Sequence, residues 1–288
     1  MIIGVTVEGR LAVRHAGRVW DVTALLDEQV STNDPLATAI RQGLRIEPDR
    51  LAGLPNVAED DVRWTAPLRR PGKILGAPAN YFEHVDEMPN SATVVEWGLF
   101  LKAGTSVIGP DERVRLPYHD VRTDYEGELA VVIGRSGKDI PIERALDHVY
   151  GYTALLDITI RSSEDRSTRK SFDTFTPLGP WVVTADDVGE PDDIGLQLFV
   201  NGRLRQQSDT SKLIYGVREL IAYASSVMTL EPGDVIATGT PAGVGPLGDG
   251  DHVRLELDRI GSLAVDVTAE GAIAYADRPG PRSALQRE

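Results

Sequence analysis

Residues 124–134 read Asp-Tyr-Glu-Gly-Glu-Leu-Ala-Val-Val-Ile-Gly, and we expect the fold to be organised around them. The uninterrupted apolar run that ends at a glycine is typical of a buried β-strand. Because strand side chains alternate between two faces, Glu126 and Glu128 would point the same way, roughly 6.5–7 Å apart. Like charges this close to a hydrophobic strand repel each other and are costly to desolvate unless protonation or a cation compensates them. A pair of solvated glutamates at a strand end is the alternative, and the rest of the chain must decide.

The composition is that of an acidic globular protein. The 288 residues include 44 acidic and 30 basic ones, for a formal net charge of −14, and they suffice for one large domain or for a large and a small one. No block of Lys or Arg could follow a phosphate backbone, so we do not expect nucleic-acid binding. The acidity would repel an anionic substrate unless positive charge is concentrated at the site. The absence of cysteine leaves oxygen and imidazole as metal ligands.

The sequence predicts neither a signal peptide nor a membrane-spanning segment. Met1–Glu8 lacks the basic start and the cleavable apolar run of a signal peptide. No window approaches the roughly 18 apolar residues that a membrane span requires. We therefore expect a soluble, cytoplasmic protein that does not bind a membrane.

The chain divides most naturally at the Pro-Gly pair of residues 71–72, which interrupts regular structure. Residues 1–70 contain short alternating runs and form a predicted small β-rich domain. Residues 71–277 form the predicted main domain. The remaining residues, 278–288, are rich in Pro and Gly at their start and are expected to be a disordered tail.

Three local patterns predict further elements of the main domain. Asn201-Gly202 between two alternating runs predicts a hairpin with a type I′ turn. Apolar residues at helical spacing predict the longest helix over residues 213–228. A second, amphipathic helix is predicted over residues 141–149, with proline in its first turn.

A second apolar strand, residues 151–160, carries a single acid, Asp157. A carboxylate among Leu and Ile is costly to bury without a partner, so Asp157 is the natural third oxygen donor beside Glu126 and Glu128. Three carboxylates in a chain without cysteine favour a hard cation, Mg²⁺ or Mn²⁺.

His84 and Glu87 are candidates for acid–base chemistry. Where the chain after Asn80 enters a helical turn, the two side chains are i,i+3 neighbours and can hydrogen-bond. A carboxylate on an imidazole raises its basicity and fixes its tautomer, as a general base requires. A surface ion pair is the alternative interpretation.

Two polar stretches could serve an anionic ligand. Residues 161–170 contain four cations, among them Arg161 and Lys170, and are expected to be a mobile loop that supplies positive charge beside the site; an ordinary solvated loop is the alternative. Residues 238–245 are rich in glycine but lack the Gly-Lys-Ser/Thr sequence of a P-loop. Their backbone N–H groups and the Thr240 hydroxyl could bind a carboxylate.

Taken in order, five motifs resemble the fumarylacetoacetate hydrolase family. They are Asn80-Tyr81-x-x-His84, Asp124-Tyr125-Glu126-Gly127-Glu128-Leu129, Gly151-Tyr152-Thr153 with Asp157, the run of residues 169–181 that begins Arg169-Lys170-Ser171-Phe172-Asp173, and Thr238-Gly239-Thr240-Pro241-Ala242-Gly243-Val244-Gly245. The resemblance runs from Lys73 to Val267. It implies a β-rich α+β fold of mixed, rolled sheets behind a small N-terminal β-rich domain, and assembly as a homodimer. Members of the family are metal-dependent enzymes that act on 2-oxo acids and 1,3-diketo acids.

Carried over residue by residue, the resemblance implies three groups of site residues. The ligands of Mg²⁺ or Mn²⁺ would be Glu126, Glu128 and Asp157. The catalytic groups would be the dyad of His84 with Glu87, and Lys170. The substrate contacts would be Tyr81, Arg161 and Thr240.

Two departures from the family pattern bear on the activity. Ala77-Pro78-Ala79 replaces the Val-Gly-Leu-like run that commonly precedes Asn-Tyr, which changes the approach to His84. Glu164 stands where relatives that decarboxylate oxaloacetate tend to have glutamine, which argues against that activity.

We therefore expect a hydrolase that cleaves a C–C bond of an acylpyruvate-like 1,3-diketo acid, of the fumarylacetoacetate or fumarylpyruvate type. His84, oriented by Glu87, would deprotonate a water that attacks the distal carbonyl, and Lys170 would help to stabilise the departing pyruvate enolate. The alternatives with the same site are a decarboxylase, an isomerase or a hydratase of 2-oxo diacids. An alternative of another class is a protein that binds metal-chelating oxo acids without turnover.

Overall fold

Strands dominate the structure, a computed structural model that describes residues 1–27, 34–83 and 93–280. In chain order the strands are β1 Ile2–Thr6, β2 Leu11–His15, β3 Arg18–Asp21, β4 Asn56–Ala58, β5 Trp64–Thr65, β6 Ile74–Gly76, β7 Phe100–Lys102, β8 Val107–Ile108, β9 Arg113–Arg115, β10 Thr123–Tyr125, β11 Gly127–Ile133, β12 Val149–Leu156, β13 Thr159–Ile160, β14 Thr176–Thr184, β15 Gly195–Val200, β16 Arg203–Asp209, β17 Val235–Ala237, β18 Gly245–Pro246, β19 His252–Leu257 and β20 Gly261–Thr268. The α-helices are α1 Pro35–Arg41, α2 Val94–Trp97, α3 Arg166–Arg169, α4 Ala185–Val188 and α5 Val217–Val227. Short 3₁₀ helices cover Thr23–Leu25, Pro48–Leu51, Glu59–Asp61, Gly104–Ser106, Ile142–His148, Thr210–Lys212 and Tyr275–Asp277.

The largest sheet of the described residues has twelve strands. Its order is β4-β3-β2-β1-β14-β12-β11-β17-β6-β7, with β5 beside β1 and β8 beside β14. Most neighbours are antiparallel, whereas β17 runs parallel to β6 and β14 runs parallel to β8. A five-stranded sheet, β16-β15-β19-β20-β9, and a three-stranded one, β13-β10-β18, accompany it. This mixed, sheet-rich arrangement with few helices confirms the predicted α+β fold.

Strand β11 lies inside the main sheet, as its unbroken apolar run predicts. It pairs with β12 on one side and β17 on the other, and every one of its residues is buried. The glycine of the Glu-Gly-Glu sequence is required by packing, because a Cβ at Gly127 would lie 2.9 Å from the side chains of both Leu198 and Leu255 in the five-stranded sheet. The small residue therefore lets the second sheet approach closely between the two glutamates.

The register between β11 and β12 places the third acid. Gly127 pairs with Leu156, so Asp157 comes directly after the paired residue and lies opposite Glu126. The Asp157 backbone N–H donates to the Glu126 carbonyl oxygen at 2.8 Å. Because the sheet fixes both backbones, the two acidic side chains are brought to one place by strand pairing.

The N-terminal strands continue the main sheet. Strand β1 is antiparallel to β14, with Ile2 opposite Val183, and β2, β3 and β4 follow outward. The rings of Trp64 and Trp181 meet edge to face with centroids 5.7 Å apart. The division into domains of residues 1–70 and 71–277 stays a prediction, as does the tail, of which residues 281–288 lie outside the described part.

The local predictions hold with shifted boundaries. Asn201 and Gly202 have φ angles of 52° and 73°, which confirms the type I′ hairpin between β15 and β16. Helix α5 begins four residues later than predicted, because Leu213 forms a β-bridge with Tyr81. The predicted helix over 141–149 is a 3₁₀ helix over Ile142–His148. None of the helices in the described ranges is long and apolar enough to cross a membrane.

Candidate metal centre and its surroundings

Three carboxylates meet where β10, β11 and β12 end or begin. Glu126 occupies the break between β10 and β11, Glu128 is the second residue of β11, and Asp157 follows β12. They are 5%, 2% and 0% exposed, and one oxygen of each lies within 4.8 Å of the others. The structure thus brings together all three predicted metal ligands in a buried cluster, and the solvated strand end that was the alternative for Glu126 and Glu128 is wrong.

Two buried ammonium groups partly neutralise this cluster. Lys170, the residue after α3, donates to Glu126 Oε2 at 2.7 Å and to Asp157 Oδ2 at 2.6 Å. Its third bond goes to the Thr159 hydroxyl at 2.7 Å. Lys102, the last residue of β7, donates to Asp157 Oδ1 and, at 2.8 Å, to the carbonyl oxygen of Phe175. Each oxygen of Asp157 therefore accepts from a different lysine.

The pKa values of Glu128 and of Lys170 are shifted by burial and by the excess of negative charge in the cluster. Burial raises the pKa of Glu128 well above its ordinary value, and the negative charge of Asp157 adds to this. One Glu128 oxygen accepts from the Gly239 backbone N–H at 2.7 Å, which offsets only part of the effect. Burial alone would lower the pKa of Lys170, but the carboxylates of Asp157 and Glu126 outweigh it and raise that pKa. Lys170 is therefore a cation at neutral pH.

Arg161 reaches the cluster from the loop after β13. Its Nη2 donates to Glu126 Oε1 at 2.9 Å, and its Nε donates to Asp124 Oδ2 at 2.6 Å. Asp124 is 1% exposed and also accepts from Arg122 Nε at 2.6 Å. Because Asp124 and Glu126 are two residues apart on one strand face, a single guanidinium can bridge them. Asp124 thereby holds Arg161 against the acid cluster.

The other predicted substrate contacts lie nearby in different settings. The Tyr81 side chain is fully buried, and its hydroxyl has no hydrogen-bond partner among the described residues. Burial, and then the charge of Glu128, raise the pKa of Tyr81, so this phenol stays a neutral donor. The Thr240 hydroxyl donates to the Gly127 carbonyl oxygen at 3.0 Å and accepts from Gln206 at 2.8 Å. The substrate roles of Tyr81, Arg161 and Thr240 stay predictions.

The glycine-rich stretch after β17 reaches the acids through its backbone. Gly239 has a φ of +98°, and a Cβ there would lie 2.8 Å from the Cβ of Asn80. The Asn80 amide in turn donates to the carbonyl oxygens of Thr238 and Tyr215 at 2.8 and 2.9 Å. This packing explains the Gly239 position and holds its N–H against Glu128. The predicted dyad of His84 and Glu87 lies outside the described residues.

Two charged residues at the site, Lys102 and Asp124, were not predicted from the sequence. Lys102 ends a short apolar stretch, Phe100-Leu101-Lys102, where a lone lysine is usually solvated. Asp124 opens the motif but precedes the buried run, so it had no signal of burial of its own. The one usable sign for Lys102 was its alternation, because it shares the face of the buried Phe100 while Leu101 between them is exposed.

The donor set fits a hard divalent cation. Three buried carboxylates with converging oxygens are the ligand type that Mg²⁺ and Mn²⁺ prefer. Burial, and then the charge of Asp157, raise the pKa of Glu128, and a nearby cation would oppose both effects by favouring the charged form.

Comparison with known proteins is consistent with this chemistry. The family model for the fumarylacetoacetate (FAA) hydrolase C-terminal region matches residues 73–268. A maleylpyruvate hydrolase of Aquipseudomonas alcaligenes is 41% identical over 277 residues, or 90% of this chain and 96% of that protein. The crystal structure of maleylpyruvate hydrolase from Sphingobium sp. SYK-6 with manganese(II) and pyruvate has a TM-score of 0.83 and 38% identity, over 93% of this chain and 99% of that one. A mitochondrial oxaloacetate tautomerase of Xenopus laevis is 39% identical over 221 residues, 72% of this chain and 69% of that protein. The three clustered acids all lie within the matched residues.

Proposed function

The chain belongs to the fumarylacetoacetate hydrolase family, and on that basis we propose that it is a metal-dependent hydrolase that cleaves a C–C bond of an acylpyruvate. The observation that carries the proposal is the buried cluster of Glu126, Glu128 and Asp157 in a chain that aligns with maleylpyruvate hydrolases over nearly its whole length. An acylpyruvate presents a carboxylate and a 2-oxo group side by side, which is a chelating pair for a hard cation.

We assign the three acids to a divalent cation and Lys170 to the substrate side of the same cluster. When bound, the cation would supply Lewis-acid stabilisation of the negative charge that develops on the 2-oxo oxygen. The Lys170 ammonium bonds two of the acids and is charged at neutral pH, so it is suited to stabilise developing negative charge and unsuited to be a base. Arg161, held by Asp124, presents a second fixed cation beside Glu126.

The water that attacks the distal carbonyl needs a base, and His84 with Glu87 is our candidate. A histidine that is oriented by a carboxylate has the basicity to take a proton from water at neutral pH. The distal acyl carbon gains the water oxygen and leaves as a carboxylic acid. The bond to the methylene carbon breaks, and the pyruvate enolate takes up a proton to give pyruvate.

The substrate and metal can be proposed more narrowly. Two of the relatives are maleylpyruvate hydrolases, and one of them binds manganese(II) and pyruvate. We propose maleylpyruvate or a close acylpyruvate as substrate and Mn²⁺ as the first metal to test, with Mg²⁺ as the alternative. Homodimer assembly and a cytoplasmic location stay predictions.

A second activity is favoured by a specific observation. The oxaloacetate tautomerase of Xenopus laevis is nearly as similar over the main domain, and tautomerisation passes through the same kind of enolate. It needs a proton transfer at the methylene carbon but no attacking water. The two activities therefore differ in whether solvent oxygen enters a product.

The deciding experiment is a panel of maleylpyruvate, fumarylpyruvate, acetylpyruvate and oxaloacetate, assayed with Mn²⁺, with Mg²⁺ and after chelation. Hydrolysis in oxygen-18 water should place one label in the released acid, and hydrolysis in D₂O should place at least one deuterium in the methyl group of pyruvate. The variant Glu126→Gln is the control for a metal-dependent reaction. Loss of the enol form of oxaloacetate without cleavage of any acylpyruvate would assign the tautomerase activity instead, and loss of CO₂ without labelled acid would assign a decarboxylase.

A further inference from the structure

The last described segment of the chain packs on the loop that carries the cations of the site. Arg278 Nη1 donates to Glu164 Oε1, and both side chains are only partly exposed, at 31% and 26%. The same guanidinium lies 5.7 Å from the ring centroid of Phe172. Arg278 thus contacts the loop at two places, one on each side of Lys170.

Aromatic side chains anchor this segment to the body of the protein. The ring of Tyr275 meets that of Tyr118 edge to face at 5.0 Å, and Tyr118 meets Phe172 in the same way at 5.8 Å. The backbone N–H of Tyr275 donates to Asp120 Oδ1 at 2.8 Å. Tyr275 and Arg278 therefore approach the loop from a fixed support, and we call these two residues the C-terminal clasp.

The loop between Glu164 and Phe172 connects the C-terminal clasp to the acid cluster. Hydrogen bonds join the two ends of this loop. Arg169 Nη1 donates to the Ser162 carbonyl oxygen at 3.2 Å, and Ser162 Oγ donates to Glu164 at 3.1 Å. Lys170 directly follows helix α3 and caps its C-terminus, where the Lys170 N–H donates to the Arg166 carbonyl oxygen at 3.1 Å. A shift at Glu164 must therefore move one or both ends of the loop.

We propose that Arg278 is a positioning residue, which through Glu164 and Phe172 keeps Lys170 and Arg161 in place against the acids. The inference rests on the proposed function for its kinetic consequence. The clasp lies beyond residue 268, where the match to the family model ends.

The ion pair itself contributes little to global stability, because both groups are partly solvated. Its effect is expected in geometry, since a small displacement of a group that touches the substrate can lower a rate by roughly 10-fold to 100-fold. Stability and activity should therefore separate in the variants.

The test uses Glu164→Gln, Arg278→Gln, the double variant and the conservative variant Arg278→Lys in the full chain. Hydrogen–deuterium exchange should rise by about 10-fold for amides of residues 162–172 in Arg278→Gln, while the thermal midpoint stays within about 2 °C of the wild type. With maleylpyruvate and Mn²⁺, kcat/KM should fall by roughly 3-fold to 10-fold, mostly through a higher KM. The double variant should be no worse than Arg278→Gln, and Arg278→Lys should recover at least half of the loss.

The control is Arg144→Gln, which breaks the exposed ion pair with Asp147 in a segment that packs on α5. The proposal is overturned if Arg278→Gln behaves like this control in exchange, or if the loop loosens while kcat/KM stays within twofold of wild type. It is also overturned if the losses of the two single variants multiply in the double one. A wild-type protein that cleaves no acylpyruvate would refute the proposed function alone, because the exchange measurement decides the clasp without a substrate.

Discussion

Replacement of Lys102 by methionine should destabilise the protein strongly and make its stability depend on metal. Lys102→Met removes the ammonium group and keeps an unbranched apolar stem of the same length, with sulfur in place of one methylene. In the native protein that group donates to Asp157 Oδ1 and to the Phe175 carbonyl oxygen, and both side chains of the ion pair are 0% exposed. Removal of one partner leaves a buried carboxylate with less compensation, which typically costs about 3–5 kcal/mol.

This cost can be converted to a change in melting temperature. The entropy of unfolding is about 2.1 cal/mol/K per residue, so for this chain a loss of 3–5 kcal/mol lowers Tm by roughly 5–8 °C. The variant has one cation fewer beside Asp157, so a divalent cation should replace part of the lost compensation. Saturating Mn²⁺ should therefore raise the Tm of Lys102→Met by several degrees more than it raises that of the wild type.

Differential scanning calorimetry of chelated and Mn²⁺-saturated protein measures both effects. The control is Lys138→Met, which makes the same chemical change at a lysine that is 42% exposed and pairs with the exposed Asp139. It should change stability by less than about 1 kcal/mol, or roughly 2 °C. Our account of the buried pair fails if Lys102→Met loses no more than this control. It fails equally if Mn²⁺ stabilises the variant less than the wild type.

Three further outcomes are expected. Glu126→Gln should abolish Mn²⁺ binding in calorimetry together with activity, with kcat/KM falling by at least about 10³-fold; tight binding by this variant would remove Glu126 from the ligand set. Because burial raises the pKa of Glu128, the metal-free carboxyl keeps its proton to a higher pH than an ordinary glutamate does. The contribution of this group to the stability of the protein is therefore fully present below its pKa in the unfolded chain, and it is lost as pH rises through its pKa in the folded protein. Binding of Mn²⁺ should release that proton, which would make the binding enthalpy depend on the ionisation enthalpy of the buffer, an effect that fades as pH rises through the folded-state pKa. A binding enthalpy that is independent of the buffer at every pH tested would contradict this expectation. His84→Ala and Glu87→Ala should lower kcat by roughly 10²–10⁴-fold with Mn²⁺ affinity unchanged, and a loss of affinity would make the pair structural.

The central strand was predictable because its signal is local. An apolar run bounded by glycine can hardly form anything but a buried strand, and alternation then places Glu126 and Glu128 on one face. The position of Asp157 required more, since it depends on Gly127 pairing with Leu156. The sequence indicated only that an acid among aliphatic residues needs a partner. In this chain that requirement was enough to select the acid that the structure places beside Glu126 and Glu128.

Lys102 was not predictable for the opposite reason. Its strand β7 stands at the end of the twelve-stranded sheet, beside β6, and no local pattern reveals that its side chain reaches an acid 55 residues later. The contacts of Arg278 in the C-terminal clasp were not predictable either, because Arg278 begins a stretch whose composition indicates a tail. Such contacts come from tertiary packing, which decides the surroundings of single charged residues more than their neighbours in sequence do.

The charge of the site reconciles an acidic protein with an anionic substrate. When all three acids are ionised, as metal ligands must be, they face the two ammonium groups of Lys102 and Lys170, which leaves one net negative charge before the metal is counted. Outside this count, Asp124 pairs with both Arg122 and Arg161. A divalent cation reverses this balance to one net positive charge, which matches the single carboxylate of a pyruvate group. Without the two lysines the same cation would leave the site negative. With both lysines in place, the metal changes the net charge of the site from negative to positive, so substrate affinity should depend on the metal. Lys102→Met removes one of these positive charges and should therefore weaken pyruvate binding to the Mn²⁺-loaded protein, although Mn²⁺ should stabilise this variant more than it stabilises the wild type.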